Sequence, residues 1–159
     1  MINVKLIALG NLKESYLREA FSEYSKRLSG LCRFELAELK EYKLPDSPSA
    51  AEIDAALADE AKRILPLLPP RAYKIALCVE GKQLSSEKFA EKIEKVAATN
   101  GEIIFVIGSS HGLSETVKSV CDARLSISEM TFPHQLMRVI LAEAIYRALN
   151  IIKGTKYHK

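Results

Sequence analysis

The chain has no tryptophan, only three cysteines, and no apolar run approaching the length of a membrane span. Each scarcity excludes something. Cys32, Cys78 and Cys121 are odd in number, widely spaced and never arranged as C-x-x-C, so neither a disulfide framework nor a thiolate metal site is expected. Without ~20 consecutive apolar residues no spanning helix is expected either. The opening Met1-Ile2-Asn3-Val4-Lys5 lacks the charged and then apolar pattern of a secretory signal, and a cytoplasmic protein is expected. Charge of one sign is scarce too. Lys and Arg exceed Asp and Glu by 23 to 20, too little to announce a nucleic-acid binder.

What is present suits one α/β domain spanning residues 1–159, with 48% apolar residues to fill its core. Residues 2–9 alternate Ile2, Val4, Leu6 and Ala8, a strand ending at Gly10. Leu17, Phe21, Tyr24 and Leu28 recur at helical spacing and Gly30 closes them. Phe34 and Leu36 mark a second strand. Ser49-Ala50-Ala51-Glu52 is a capping box opening a helix that Pro66, Pro69 and Pro70 end. Residues 73–79 form a third strand with a turn at Gly81-Lys82, and Ser85 or Ser86 caps the next helix. Ile103-Ile104-Phe105-Val106-Ile107 is the continuous β-prone run of a strand buried on both faces. A short helix capped by Ser114, a fifth strand over 125–128 and a final helix over 134–153 complete the order. Such alternation predicts a mostly parallel sheet with helices on both faces. The final helix is apolar round much of its circumference, which predicts more than one burying surface and favours a homodimer.

Four segments attract attention as sites. The loop Gly108-Ser109-Ser110-His111-Gly112 lies between a buried strand and a helix, at the edge where parallel sheets bind ligands. Taken alone G-x-x-x-G is as readily a tight turn, since no dinucleotide or phosphate-loop fingerprint accompanies it. All three histidines, His111, His134 and His158, fall in candidate segments, yet none has a carboxylate or cysteine at metal-ligand spacing. Ser126-Ile127-Ser128-Glu129-Met130-Thr131-Phe132-Pro133-His134 runs from a strand through a polar turn into a helix, where Ser128 and Thr131 either cap the helix or bind a ligand. From Pro133 onward five basic residues (Arg138, Arg147, Lys153, Lys156, Lys159) face one acid, Glu143, which fits an anionic partner or a solvated helix end. The tail Thr155-Lys156-Tyr157-His158-Lys159 combines rings with cations, a pairing that stacks on unpaired bases and binds phosphate.

Several of these segments closely resemble the RlmH family. They are Phe105-Val106-Ile107-Gly108, the run from Leu125 through Met130-Thr131-Phe132-Pro133-His134-Gln135 to Val139, Ile145-Tyr146-Arg147-Ala148, and Tyr157-His158-Lys159. These are small SPOUT-class methyltransferases that act at N3 of a pseudouridine in large-subunit (23S) ribosomal RNA. The resemblance implies a parallel sheet whose C-terminal part is threaded into a trefoil knot, an exception to the rule that chains do not knot. It implies the cofactor S-adenosyl-L-methionine, bound by Leu77, Gly108 and residues 127–132 (Ile127, Ser128, Glu129, Met130, Thr131, Phe132), largely through backbone groups. It also implies a homodimer in which one subunit's tail completes the other's site. The chain departs from the family at Ser109, often glycine there, which would narrow the cofactor loop, and at Ala144, often glutamine.

The mechanism expected on this basis gives Arg147 a phosphate or base oxygen, with Tyr157 and His158 positioning the base and His158 as proton acceptor. No metal is expected. With no separate RNA-binding domain, the assembled ribosome is the expected partner. The rival readings are a non-catalytic ribosome-binding factor and a SPOUT methyltransferase with another RNA target.

Overall fold

The computed structural model describes residues 1–158; Lys159, counted above in the basic end and the terminal Y-H-K, lies outside the described residues. Strands β1 (Asn3–Leu9), β2 (Arg33–Leu39), β3 (Tyr73–Gln83), β4 (Glu102–Ile107) and β5 (Ala123–Ser126) form one sheet in the order β2-β1-β4-β3-β5. Every pairing is parallel. Helices α1 (Ser15–Ser29), α3 (Ser86–Thr99) and α5 (His134–Lys153) pack on one face. Helices α2 (Ala50–Ile64) and α4 (Glu115–Val120) cover the other. The pleat sorts β4 accordingly: Ile103, Phe105 and Ile107 point to one core, Ile104 and Val106 to the other. The expected mostly parallel α/β sheet, covered on both faces, is what forms.

The helix starts follow their caps. Ser49 and Glu52 form the reciprocal capping box, while Ser85 and Ser114 each accept from a backbone N–H in the first turn. Helix α5 begins after Pro133 and ends at Gly154, whose φ of +71° suits glycine. Neither Ser128 nor Thr131 caps it. The Ser128 hydroxyl instead accepts from the Met130 N–H at 3.0 Å, which tightens the preceding turn.

Two boundaries differ from the sequence reading. Strand β3 does not stop at Val79 with a turn at Gly81-Lys82. It pairs with β5 at Leu77, leaves the ladder over residues 78–81, and rejoins it at Lys82 and Gln83. Turn-forming residues in the middle of a strand here mark a bulge. Strand β5 runs Ala123–Ser126, two residues earlier than 125–128, so Ile127 and Ser128 belong to the loop beyond it.

The breadth of apolar surface on α5 is met largely within one chain. Leu141, Ile145 and Ala148 are buried in the core that α5 shares with α1 and α3, whereas Leu136, Val139 and Ile140 keep part of their surface open. One residue departs from the apolar pattern. Arg138, read from sequence as part of a basic end, is 1% exposed. Its guanidinium donates to Glu38 Oε2 at 2.6 Å and to the Gly10 carbonyl at 3.0 Å, bracing α5 against the ends of β1 and β2. An apolar-facing helix position leaves it nowhere to be solvated, so it is paired instead. Truncation by Arg138→Ala strips Gly10 and Glu38 of this donor and is expected to cost about 3 kcal/mol. Urea unfolding followed by circular dichroism measures it, and Arg138→Lys is expected to recover little, because an ammonium lacks the fork that reaches both groups.

Candidate functional site

A cleft of about 770 Å³ opens where β3, β4 and β5 end or bulge. Three neighbouring strands contribute to it: β4 through the loop from Gly108, β5 through the loop from Ile127, and β3 through its bulge at Cys78, Val79 and Glu80. Crevices at the carboxyl edge of a parallel sheet are where such folds bind ligands. Its size lies within the range of small-molecule pockets.

Seven of the eight residues expected to bind the cofactor are brought together here. Leu77, Gly108, Ile127 and Ser128 line the cleft, as do Met130, Thr131 and Phe132. Glu129 is exposed and does not line it. The apolar rim residues Val79 and Met130 are 51% and 73% exposed, an unusual state for such side chains that leaves them free to meet a ligand.

Two glycines make this geometry possible. A Cβ on Gly108 would stand 2.2 Å from the Gly112 carbonyl oxygen, and one on Gly81 would stand 2.6 Å from the Leu125 carbonyl carbon. At both points backbone presses on backbone, so no side chain fits. Ser109, which stands where a glycine was expected, itself lines the cleft. Its hydroxyl turns to α2 and donates to Glu60 Oε1 at 2.7 Å, while the Tyr42 N–H donates to Glu60 Oε2 at 3.0 Å. Glu60 is 3% exposed, so a buried carboxylate tethers the loop from behind. Ala144 packs half-buried on α5 and lies outside the cleft lining.

Sequence reasoning left several lining residues unassigned. His111 and His134 both line the cleft, and burial pushes the His134 imidazole down, with Glu41 acting against that shift. Lys118 and Glu80 form an ion pair at the cleft, which holds the Glu80 carboxyl below its usual range. Nothing in their local sequence signals this, because the pair joins α4 to a bulge invisible to periodicity. Cys78 also lines the cleft, with burial raising its thiol.

Arg147, Tyr157 and His158 form a second cluster, apart from the cleft. Glu143 Oε1 is its hub, accepting from Arg147 Nη2 at 2.7 Å, Arg147 Nε at 3.1 Å and the Tyr157 hydroxyl at 3.1 Å. The Arg147 guanidinium lies 4.8 Å from the Tyr157 ring centre, and Tyr146 meets the same ring edge-on at 4.7 Å. Burial and the Glu143 bond push the Tyr157 hydroxyl up to about 12, so it stays a donor at neutral pH. His158 Nδ1 faces Arg147 Nη1 at 3.3 Å, and its Nε2 lies 2.8 Å from Glu87 Oε1. A guanidinium can only donate, so Nδ1 accepts and the Nε2–H donates to Glu87. The tail is thus docked on its own α5 and α3. Along α5, Arg147 lies roughly 15 Å beyond the cleft-lining Met137. Glu143 and Glu87 were missed as partners because acids at ordinary helix positions carry no local signal.

Of the basic residues counted toward the C-terminus, then, Arg138 is buried and Arg147 is paired, while Lys153 and Lys156 are exposed. Among the described residues no helix is long and apolar enough to cross a membrane, and no group of three or more His, Cys, Asp or Glu could hold a metal ion.

A parallel sheet whose cleft is built from two strand-end loops and a strand bulge, none carrying a phosphate fingerprint, agrees with the SPOUT class of methyltransferases. The family described as "Predicted SPOUT methyltransferase" matches residues 2–158. The ribosomal RNA large subunit methyltransferase H of Limosilactobacillus reuteri (strain DSM 20016) is 46% identical over 159 residues, covering 99% of this chain and 100% of the relative. Proteins of the same name from Streptococcus thermophilus (strain CNRZ 1066) and Leuconostoc mesenteroides are 48% and 44% identical over the same shares. The chain belongs to the SPOUT methyltransferase family and groups within it with these methyltransferase H relatives.

Two substitutions test how the loop is held. Gly108→Ala is expected to lower the unfolding midpoint and abolish ligand binding in the cleft, because the contact it meets is backbone. Ser109→Ala leaves Glu60 one partner short and is expected to cost about 1–3 kcal/mol in denaturant unfolding.

Proposed function

We propose that this chain is a single-domain, cytoplasmic methyltransferase that uses S-adenosyl-L-methionine to modify N3 of a pseudouridine in 23S ribosomal RNA, on the assembled ribosome and as a homodimer. The observation that carries this reading is the convergence of two backbone-rich loops and the β3 bulge on one cleft in a chain of a methyltransferase family. The names of its relatives supply the RNA.

The cleft suits the donor. Its volume of about 770 Å³ is ample for a nucleoside carrying an amino-acid arm, and its walls mix apolar side chains such as Leu77, Ile127 and Phe132 with loop backbone. We assign the donor contacts to Leu77, Gly108 and the 127–132 turn. When bound, the donor supplies a methyl group on a sulfonium that departs with the electrons of the breaking carbon–sulfur bond. N3 of the base gives up its proton and forms the new nitrogen–carbon bond. The chain's task is then to hold the base in line and to receive that proton. The trefoil threading belongs to the same proposal. It is supported by the pairing of β5 with β3 and by the close packing of Gly81 on the Leu125 backbone.

Arg147, Tyr157 and His158 are assigned to the base. In one chain they lie well away from the cleft, so a second subunit is the natural source of the set that works there. The partly open strip of Leu136, Val139 and Ile140 offers that contact. In the docked tail the accepting nitrogen of His158 is engaged by Arg147, so His158 takes a proton only after that contact is exchanged for substrate.

Titration calorimetry with S-adenosylmethionine is expected to give one site per subunit, and alkylation of Cys78 is expected to slow when the donor is present. Absence of donor binding would leave only a non-catalytic ribosome-binding role. With intact ribosomes as substrate, His158→Ala is expected to lose the acid limb of the rate–pH profile. A profile of unchanged shape removes the proton-acceptor role.

A further inference from the structure

A second groove, of about 300 Å³, lies between the edge strand β5 and α3 and takes in Ala123, Arg124 and Leu125 of that strand. Its charge is one-sided. Lys82, Lys88, Lys92, Lys95 and Arg124 line it against the single acid Glu91. This concentration stands out in a chain whose net charge is only +3. Lys88, Lys92 and Lys95 follow one another at i, i+4 and i+7, forming a stripe about 10 Å long on the outer face of α3. The inner face of the same helix buries Phe89, Ile93 and Val96, so the stripe is held rigidly to the core.

The partners of these cations are few. Lys88 meets Glu91 at 3.2 Å and Arg124 meets Glu115 at 3.3 Å. Among the described residues Lys82, Lys92 and Lys95 have no carboxylate partner, and Lys92 sits 5.2 Å from the centre of the Tyr73 ring. Several unneutralised lysines in line along a groove repel one another unless an anion lies between them.

Position selects the anion. Leu125 lines both this groove and the donor cleft, so the two adjoin at that residue. Glu87, which holds His158, immediately precedes Lys88 at the start of α3. A chain lying along the groove therefore has the tail cluster beside it at Lys88 and the donor cleft adjoining it at Leu125.

Resting on the function proposed above, we infer that the α3–β5 groove is the docking track for the phosphodiester backbone of the RNA strand next to the modified nucleotide. Lys82, Lys88, Lys92, Lys95 and Arg124 take phosphates, and the apolar floor at Leu84 and Ala123 meets the sugar edge. The site reads charge and spacing, and it leaves the identity of the base to the tail and cleft.

The test is the triple variant Lys88→Glu/Lys92→Glu/Lys95→Glu, whose substitutions lie on an exposed helix face, beside Lys88→Arg/Lys92→Arg/Lys95→Arg. Calorimetry with S-adenosylmethionine and the thermal midpoint are expected to match the parent in both. For the Glu variant, KM for large ribosomal subunits is expected to rise at least about tenfold with kcat little changed. The slope of log affinity for protein-free large-subunit RNA against log salt is expected to fall by about 2, as loss of three phosphate contacts to a single strand requires. The Arg variant is expected to keep both parental values. A Glu variant with parental KM and salt slope overturns the proposal. So does one that binds free RNA normally but ribosomes poorly, since the groove would then face an acidic protein. Failure of the parent protein to methylate ribosomes counts against the function itself, while the RNA-binding slopes still decide the groove.

Discussion

A buried guanidinium determines where the cleft opens. Arg138 sits on an otherwise apolar stretch of α5 and has almost no contact with water. Burying that charge is costly, and only Glu38 and the carbonyls of Leu9 and Gly10 offset it. Those partners lie at the carboxyl ends of β1 and β2, so the first turns of α5 can sit in only one place relative to the sheet. Gln135 adds a second tie by accepting from the Lys13 N–H at 3.0 Å. The loop from Ile127 to Pro133 is the short span between this anchored helix and β5. It has little freedom, and it forms one wall of the cleft.

The other walls are set by contacts between backbones. Gly108 lies against Gly112, and Gly81 lies against the end of β5. Glu60 braces the Gly108 loop from the far side of the sheet through Ser109. A site made this way presents N–H and C=O groups at fixed positions, with His111, His134, Cys78 and the Glu80–Lys118 pair set around them. That is suited to holding a reactive donor whose leaving group is already in place, where orientation rather than acid chemistry is the main requirement.

Much of the fold was legible in the sequence because it rests on short-range signals. Period-two alternation marked β1, the continuous apolar run marked β4, and Pro133 and Gly154 marked the ends of α5. The loops that line the cleft were legible too, as glycine and polar runs after strands. What stayed hidden depends on residues distant in sequence. Arg138 looked like a surface cation because its partner Glu38 is a hundred residues away. The continuation of β3 past Gly81 was hidden because a bulge uses the same residues as a turn. The α3 lysines were overlooked for another reason. Spaced along a helix among acids, they look like an ordinary solvated face, and only the fold brings Lys82 and Arg124 up beside them.

Helices α3 and α5 together explain how one small domain can separate two tasks. The N-terminal end of α5 closes the cleft through His134 and Met137, and its C-terminal half carries Glu143 and Arg147. Because a helix is rigid, those two ends cannot approach each other, and no rearrangement of loops within one chain closes the gap. Carboxylates also hold the tail where it rests: Arg147 pairs with Glu143, and the His158 Nε2–H donates to Glu87. Such pairs are partly exposed and individually weak, so a phosphate or a base can displace them at small cost. On the function proposed above, the docked tail is held in reserve. Its cation, phenol and imidazole are kept in one place by carboxylates until a stronger anion and a stacking surface arrive together. In the proposed dimer, those would come from RNA reaching the neighbouring subunit's cleft.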